Sequence, residues 1–217
     1  MKRKCLFLIL IFFISASLVN AQDTSSADAF FSQVSANFGS IRDYQANIQI
    51  RSANSGNLIM EGTVIYRRPI FLKIDFTGGQ VFVANNEKVI WYVPSYSFIL
   101  EQELYPKSDS SLQSLASSKG LNYLRNHYST SFVSGPDMTP LDNGSGELVY
   151  KLRLFSGGRT IEISINSHMM IRRIVTGSYI VDYTNIQINT NIASEQFDYT
   201  PPSNANVYEN FLYEPAN

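Results

Sequence analysis

The stretch that decides the fold is residues 44–69, YQANIQIRSANSGNLIMEGTVIYRRP. Every second residue from Tyr44 to Ile50 is apolar and the residues between them are polar, which is the period of a half-buried β-strand. The turn-forming run 54–57 then reverses the chain into a second strand, about 58–68, that stops at Pro69. The pair predicts an antiparallel hairpin with one apolar face.

Similar short strands follow on both sides of a central interruption, each bounded by Gly, Pro, Asn or Ser. The pattern predicts strands at Phe71–Phe76, Gln80–Ala84, Lys88–Val93, Phe98–Glu103, near Phe132, and at Glu147–Phe155, Thr160–Ile165, Met169–Thr176 and Tyr179–Ile188. Together with the first hairpin they make about eleven strands in one domain. The sequence is therefore that of a mainly β protein with a few helices.

Helical spacing is confined to two places. Phe30, Phe31, Val34 and Phe38 recur at the period of an amphipathic helix that ends at Gly39. Between Ser108 and Tyr128 the alternation is lost, and Leu112, Leu115, Leu121 and Leu124 predict two helical turns broken at Gly120, a candidate flap.

The N-terminus predicts export. Three basic residues, Lys2 to Lys4, precede the apolar run 6–14, and Val19-Asn20-Ala21 fits a cleavage site, so we expect a signal peptide over 1–21 and one mature domain over 22–217. The only cysteine, Cys5, would leave with the leader, which excludes disulfides and cysteine chemistry from the mature chain. Losing three of 17 basic residues leaves 14 against 18 acidic ones, and this net charge near −4 gives no reason to expect a nucleic-acid partner.

Motifs for catalysis are missing. The sequence has no G-x-S-x-G elbow, phosphate loop, dinucleotide fingerprint or H-E-x-x-H helix. Its two histidines, His127 and His168, lie far apart and lack ligand-like neighbours. We therefore expect neither an enzyme nor a metal or other cofactor. The aromatic excess, 13 Tyr, 14 Phe and 1 Trp, suits either a packed core or a lipophilic cavity.

Arg68 is the one residue out of place, because continued alternation along the second strand puts it on the apolar side. A guanidinium stays charged and needs carbonyl or carboxylate partners when it is buried. One interpretation is that Arg68 reaches water from the strand end. The other is that it forms a reversible polar latch to another element.

Three segments, in order along the chain, resemble the LolA family of periplasmic outer-membrane lipoprotein carriers. They are Glu61-Gly62-Thr63 with Arg67-Arg68-Pro69, the run Asn86-Glu87-Lys88-Val89-Ile90-Trp91-Tyr92-Val93-Pro94, and Phe197-Asp198-Tyr199-Thr200-Pro201-Pro202. One departure is Asn85-Asn86-Glu87, which replaces the usual Asp-Gly turn.

The resemblance implies an incomplete antiparallel β-barrel with a helical lid over a hydrophobic cavity, and a monomeric periplasmic chaperone that moves lipoproteins from the inner to the outer membrane. It implies as partners the lipoprotein acyl chains, an inner-membrane lipoprotein-releasing ABC transporter and an outer-membrane acceptor. The family's arginine before proline, here Arg68, would be the lid latch. By strand alternation the acyl-chain-binding residues are Val64, Tyr66, Leu72, Ile74 and Phe76, with Ile90, Trp91 and Tyr92 less firmly oriented.

Three other functions remain open from the sequence. The chain could be a periplasmic binding protein for lipids or other small apolar ligands, an envelope-stress sensor on a similar fold, or a hydrolase built on two carboxylates that only the fold brings together. The nature of a copurifying ligand separates the first from a lipoprotein carrier.

Overall fold

The computed structural model describes residues 26–69, 71–85, 88–103 and 118–210. In these ranges helix α1 covers residues 26–40 and helix α2 covers Ser118–His127. The strands are β1 (Asp43–Ser52), β2 (Leu58–Arg67), β3 (Phe71–Phe76), β4 (Val81–Ala84), β5 (Lys88–Val93), β6 (Phe98–Glu103), β7 (Ser129–Phe132), β8 (Thr139–Pro140), β9 (Leu148–Ser156), β10 (Arg159–Asn166), β11 (Ile171–Val175), β12 (Tyr179–Ile188) and β13 (Asn206–Glu209). Neither helix, over the residues described, has the length and apolar character needed to cross a bilayer.

All thirteen strands belong to one sheet, in the order β13-β6-β5-β4-β3-β2-β1-β12-β11-β10-β9-β7, with β8 also on β9. Every pairing is antiparallel except that of β13 with β6. Because β13 and β7 end the sheet without pairing to each other, it stays open. The predicted α+β fold, an incomplete antiparallel barrel with helices, is confirmed.

The strand count is higher than expected because β8 and β13 carry little sequence signal. β8 has two residues, and all four residues of β13 are exposed. β13 therefore joins the sheet mainly through its backbone, with one edge-to-face ring contact from Tyr208 to Phe98 of β6. The predicted break at Gly120 is wrong, since α2 runs through it. A glycine inside a helix costs only about 1 kcal/mol, and the buried Leu121 and Leu124 next to it offset that cost. The flap residues Leu112 and Leu115 lie outside the described residues.

Strands β2 and β3 approach each other very closely at Gly62. Gly62 lies between Ile48 of β1 and Phe76 of β3, and a Cβ at this position would overlap the carbonyl oxygen of Asp75 and lie 2.7 Å from Cα of Phe76. Only a residue without a side chain permits so close an approach of β3. The glycine in the Glu61-Gly62-Thr63 segment is thus explained by the packing of the strands, independently of any ligand.

Directional polar contacts hold the convex face. Arg173 and Asp182 form a buried bidentate ion pair, with Nε to Oδ1 at 2.6 Å and Nη2 to Oδ2 at 3.0 Å. Arg173 also donates to the carbonyl oxygen of Asp142 in the loop that covers this face. A small apolar cluster on the same side packs the C-terminal segment against β2 and β3, and consists of Ile65, Phe71, Ile192 and Phe197.

Candidate functional site

The concave face of the sheet is the candidate site, and it is apolar from one edge region to the other. Residues directly opposite in a β-ladder share a face, so the register traces this face from β2 to β5 through Val64, Ile74, Phe82 and Trp91. In the second half it continues through Leu152, Leu154, Ile161, Ile163, Ile165, Ile174 and Val181. The main hydrophobic core is built on these side chains.

Most predicted acyl-chain-binding residues lie together on this face. Val64, Tyr66 and Leu72 are buried, and Ile74 and Phe76 are partly buried, in the adjacent strands β2 and β3. Trp91 lies on the same face in β5, opposite Phe82, and its indole Nε1 is buried without a hydrogen-bond partner. These residues form one continuous apolar wall.

Ile90 and Tyr92 lie on the convex face instead. They pair with Val83 and Val81, whose side chains point away from the concavity. The Tyr92 ring is 6.4 Å from that of Tyr199, in the C-terminal segment that crosses the outside of the sheet. Strand alternation forces this result, because neighbours in a strand cannot share a face.

The concavity is filled by helix α1. Ala27, Phe31, Val34 and Phe38 are buried against the sheet. Phe30 packs on Phe132 and Tyr150, with ring centroids 5.7 and 4.6 Å apart. Because helix and sheet are joined mainly through apolar side chains, this packing has little directional preference.

One pocket lies where the C-terminal end of α1 packs against β1, β11 and β12. This apolar pocket has a volume of about 20 Å³, close to what one water molecule needs. Its lining residues are Phe38, Tyr44, Ala46, Met170, Ile171, Tyr183 and Ile186. A ligand as large as an acyl chain fits this part of the concavity only if α1 moves.

Arg68 contacts the C-terminal end of α1. Strand β2 ends one residue earlier, at Arg67, and the Arg68 side chain is exposed rather than enclosed by apolar residues. Its Nε donates to the carbonyl oxygen of Ile41 at 2.8 Å, and its Nη2 donates to that of Gly39. Carbonyls at a helix C-terminus lack partners within the helix and attract cations, so Arg68 caps α1.

Within the described ranges, three further residues of α1 link it by side-chain contacts to other elements. Ser35 donates to Oδ1 of Asn122 at 2.7 Å, and Arg125 donates to Oγ of Ser32 at 3.3 Å, which ties α1 to α2. The Asn37 amide donates to the carbonyl oxygen of Met169 at 3.4 Å. The two neutral bonds contribute about 1 kcal/mol each, and the bond from the partly buried Arg125 guanidinium contributes about 1.5 kcal/mol.

A polar hub fixes the sheet where α1 passes into β1. Asp43 is buried and accepts hydrogen bonds from Arg42 Nε at 3.1 Å and from the Thr190 backbone at 2.7 Å. Burial alone would raise the pKa of Asp43, but the bonds from Arg42 and Thr190 outweigh it and leave the pKa below 3.8. The carboxylate is thus used structurally, as a staple between β1 and the segment after β12.

Tyr44, Tyr66 and Tyr183 add three phenol hydroxyls to the concave face. Tyr44 and Tyr66 stack with ring centroids 5.3 Å apart. Burial raises the pKa of Tyr66, raises that of Tyr44 well above its usual value, and raises that of Tyr183 to about 12. All three therefore remain neutral at ordinary pH, and the face carries no charge from them.

The residues predicted to bind acyl chains include none from the second half of the sheet, although its concave face belongs to the same site. Ile161, Ile163 and Ile165 alternate with polar residues as clearly as β1 does, and this signal predicts a concave face there. It does not tell which strands face the helix. Among the residues described, no three His, Cys, Asp or Glu side chains converge as a metal site would require.

Comparison with known proteins supports the fold. No family model matches the sequence, and no curated protein matches it. Among solved structures, an uncharacterized conserved protein from Thermus thermophilus matches with a TM-score of 0.56 and 15% identity, covering 85% of this chain and 99% of that chain. The complex structure of Pseudomonas aeruginosa MucA/MucB matches at 0.52 and 8%, covering 81% and 61%.

The Mycobacterium tuberculosis lipoprotein LppX matches at a TM-score of 0.49 and 14% identity, covering 78% of this chain and 98% of that chain, a likeness too low to support an argument. The Thermus and Pseudomonas matches exceed a TM-score of 0.5, but their identities are so low that they show the fold alone. This chain therefore shares its overall fold with these two structures.

Proposed function

We propose that this protein is a periplasmic chaperone that shields the acyl chains of lipoproteins and carries them from the inner to the outer membrane. The observation that carries the proposal is a concave apolar wall whose occupant, α1, is held by nondirectional packing and a few weak polar contacts. Such an occupant can be exchanged for another apolar group.

The energetics favour exchange over simple insertion. A chain of about sixteen carbons gains roughly 12 kcal/mol when its methylenes leave water, at about 0.8 kcal/mol each. Displacing α1 uncovers Phe31, Val34 and Phe38, each of which gains about 1.5–3 kcal/mol from burial. Binding is thus favourable, but part of its free energy is offset, which keeps the cargo releasable.

The partners follow from this role. An inner-membrane ABC transporter would load the carrier and an outer-membrane acceptor would receive the cargo. Catalysis, metals and other cofactors have no part in the proposal. Its localisation rests on the predicted signal peptide.

The test compares two adjacent aromatic residues on opposite faces. The protein is purified from the periplasm without detergent extraction, and bound acyl groups are identified by mass spectrometry. Trp91→Gln, on the concave face, is expected to lose bound ligand, whereas Tyr92→Gln, on the convex face, is expected to keep it. Equal retention in both variants would contradict the concave site.

The identity of the ligand distinguishes the carrier from the alternative, a binding protein for free lipid or another small apolar ligand. Triacylated protein supports the carrier, while free lipid without protein supports the alternative. Depleting the protein is expected to leave lipoproteins at the inner membrane. Unchanged lipoprotein sorting would remove the transport role.

A further inference from the structure

An apolar rim lies at one end of the sheet. The turns after β1, β3, β5, β9 and β11 all lie at this end, because antiparallel neighbours place alternate turns together. We define the rim as the large apolar side chains exposed on or beside these turns, namely Leu58, Ile59, Tyr96, Phe155 and Tyr179. Tyr96 is 72% exposed, Tyr179 52% and Ile59 49%.

Contacts between the turns make much of the rim continuous. The Ala53 amide donates to the carbonyl oxygen of Ser178 at 2.9 Å, which joins the turns beside Leu58 and Tyr179. A groove of about 210 Å³ runs between Ile59 and the turn at Gly78. Gly79 in turn lies against Pro94, which begins the turn that carries Tyr96. The apolar side chains thus stand on neighbouring tips rather than singly.

Charged residues are scarce in the turns that form the rim. Over residues 53–59, 77–80, 94–98, 156–160 and 176–179, the one charged residue is Arg159. At the opposite end the turns and the strand ends beside them carry Arg42, Asp43, Arg67, Arg68, Lys88, Glu103, Asp142 and Glu147. At the rim end the strand ends beside the turns add Arg51 and Asp75, and Glu61 lines the groove. A chain with an acidic excess therefore presents one end that lacks carboxylates in its turns and carries a cation.

The concave face opens towards the same end. Along β1 the exposure rises from the buried Ile48 to the partly buried Ile50, and along β3 it rises from Leu72 to Phe76. In β2 it rises from Val64 to Met60. The least covered part of the acyl-chain wall thus lies next to the rim.

From this combination we infer that the rim docks reversibly on the surface of a phospholipid bilayer containing anionic lipid. Tyrosine and aliphatic side chains on projecting tips suit the interfacial region, where a ring can bury its body and keep its hydroxyl in water. Arg159 suits an anionic headgroup. Docking would set the open end of the concavity against the membrane. The inference extends the proposed carrier function, but docking itself requires no cargo.

The test uses sedimentation with vesicles of phosphatidylethanolamine and phosphatidylglycerol that contain no lipoprotein. The full-length gene is expressed for wild type and for every variant, so all of them have the same N-terminus after processing. Any contribution of the N-terminus to vesicle binding is then equal in all of them. Changing Ile59, Tyr96 and Tyr179 together to Ser is expected to lower the partition coefficient roughly tenfold or more. Arg159→Gln is expected to lower it roughly fivefold on anionic vesicles and little on phosphatidylcholine.

The matched control changes exposed apolar residues at the opposite end. Leu148 and Ile188 are 51% and 45% exposed there, and their double change to Ser is expected to leave binding intact. If the rim variant does not fold, Tyr96→Ser alone replaces it, because that side chain stands on an exposed turn. The bare vesicles contain no cargo, so failure here is separate from failure to copurify acylated protein.

Three outcomes would overturn the inference: no wild-type binding to bare vesicles, equal loss in the rim and opposite-end variants, or rim-dependent capture of a membrane protein in detergent without vesicle binding. The last would make the rim a protein interface.

Discussion

Replacing Arg68 with Leu tests whether this side chain holds α1 in the concavity. The change removes two hydrogen bonds to the carbonyls of Gly39 and Ile41 and a cation from the helix C-terminus. Because Arg68 is exposed, solvent screens these interactions, and we expect them to contribute about 1–2 kcal/mol together. That corresponds to a roughly 5- to 30-fold rise in the population with α1 displaced.

The direct assay is hydrogen exchange of the α1 amides. In Arg68→Leu these amides should exchange faster by the same factor, while the amides of β1 and β12 are unchanged. Arg68→Lys keeps the charge but not the planar fork, and should lie between Leu and wild type. The matched control is Arg67→Leu, because Arg67 donates to the carbonyl oxygen of Ile192 on the convex side at 3.3 Å. Equal acceleration of α1 in both Leu variants would refute the cap.

The same change should alter cargo handling. If closure of α1 competes with acyl chains, weakening closure raises the apparent affinity for cargo by the factor by which it raises the open population. Arg68→Leu should therefore take up lipoprotein and discharge it poorly to acceptor membranes. Normal discharge would mean that α1 closure does not drive release.

Other predictions concern stability. Gly62→Ala should destabilise the fold by several kcal/mol or prevent folding, because its Cβ would overlap the backbone of β3. Gly177→Ala is the control and should be tolerated, because the space around this position is open. The urea unfolding midpoints of the two variants measure the difference. Because the pKa of Tyr183 is raised to about 12, its contribution to the free energy of unfolding is fully present below about pH 10 and is lost as the pH rises towards 12. The loss amounts to roughly 3 kcal/mol. The urea midpoint should therefore fall over that pH range in wild type and fall less in Tyr183→Phe. Asp43 has a lowered pKa, so its contribution is present above pH 3.8 and lost as pH falls below it, and Asp43→Asn should be less stable than wild type at neutral pH but lose less on acidification.

The sequence predicts the strands well because the hydrophobic period and the turn residues are local signals. It predicts the concave face of β2 and β3 for the same reason, since alternation orders Val64 and Tyr66 on one side. Alternation could not orient the run Ile90-Trp91-Tyr92, in which every residue is apolar or aromatic. Only the ladder with β4 assigns Trp91 to the concavity and its neighbours to the outside.

Arg68 shows a different limit of prediction. If the alternation of β2 is continued to residue 68, Arg68 falls on the apolar side. The strand ends at Arg67, however, and the Arg68 side chain is exposed and lies over the end of α1. Its partners are backbone carbonyls about thirty residues away in sequence, and carbonyls carry no residue-specific signal. The edge strand β13 escapes prediction for a related reason, because its pairing is mainly through the backbone and its side chains are exposed.

The arrangement of polar contacts explains how one sheet could exchange a helix for a ligand without losing its shape. The directional contacts that fix the sheet, the Arg173–Asp182 pair and the Asp43 staple, do not involve the helix side chains that fill the concavity. Contacts on the concave side are mainly apolar, and apolar burial depends on area rather than on geometry. A displaced α1 therefore leaves these directional bonds of the barrel intact, and an acyl chain can replace much of the lost area. A sheet whose ion pairs ran to the helix would lose its polar partners on opening, at about 3–5 kcal/mol for each broken buried pair, and would not open reversibly.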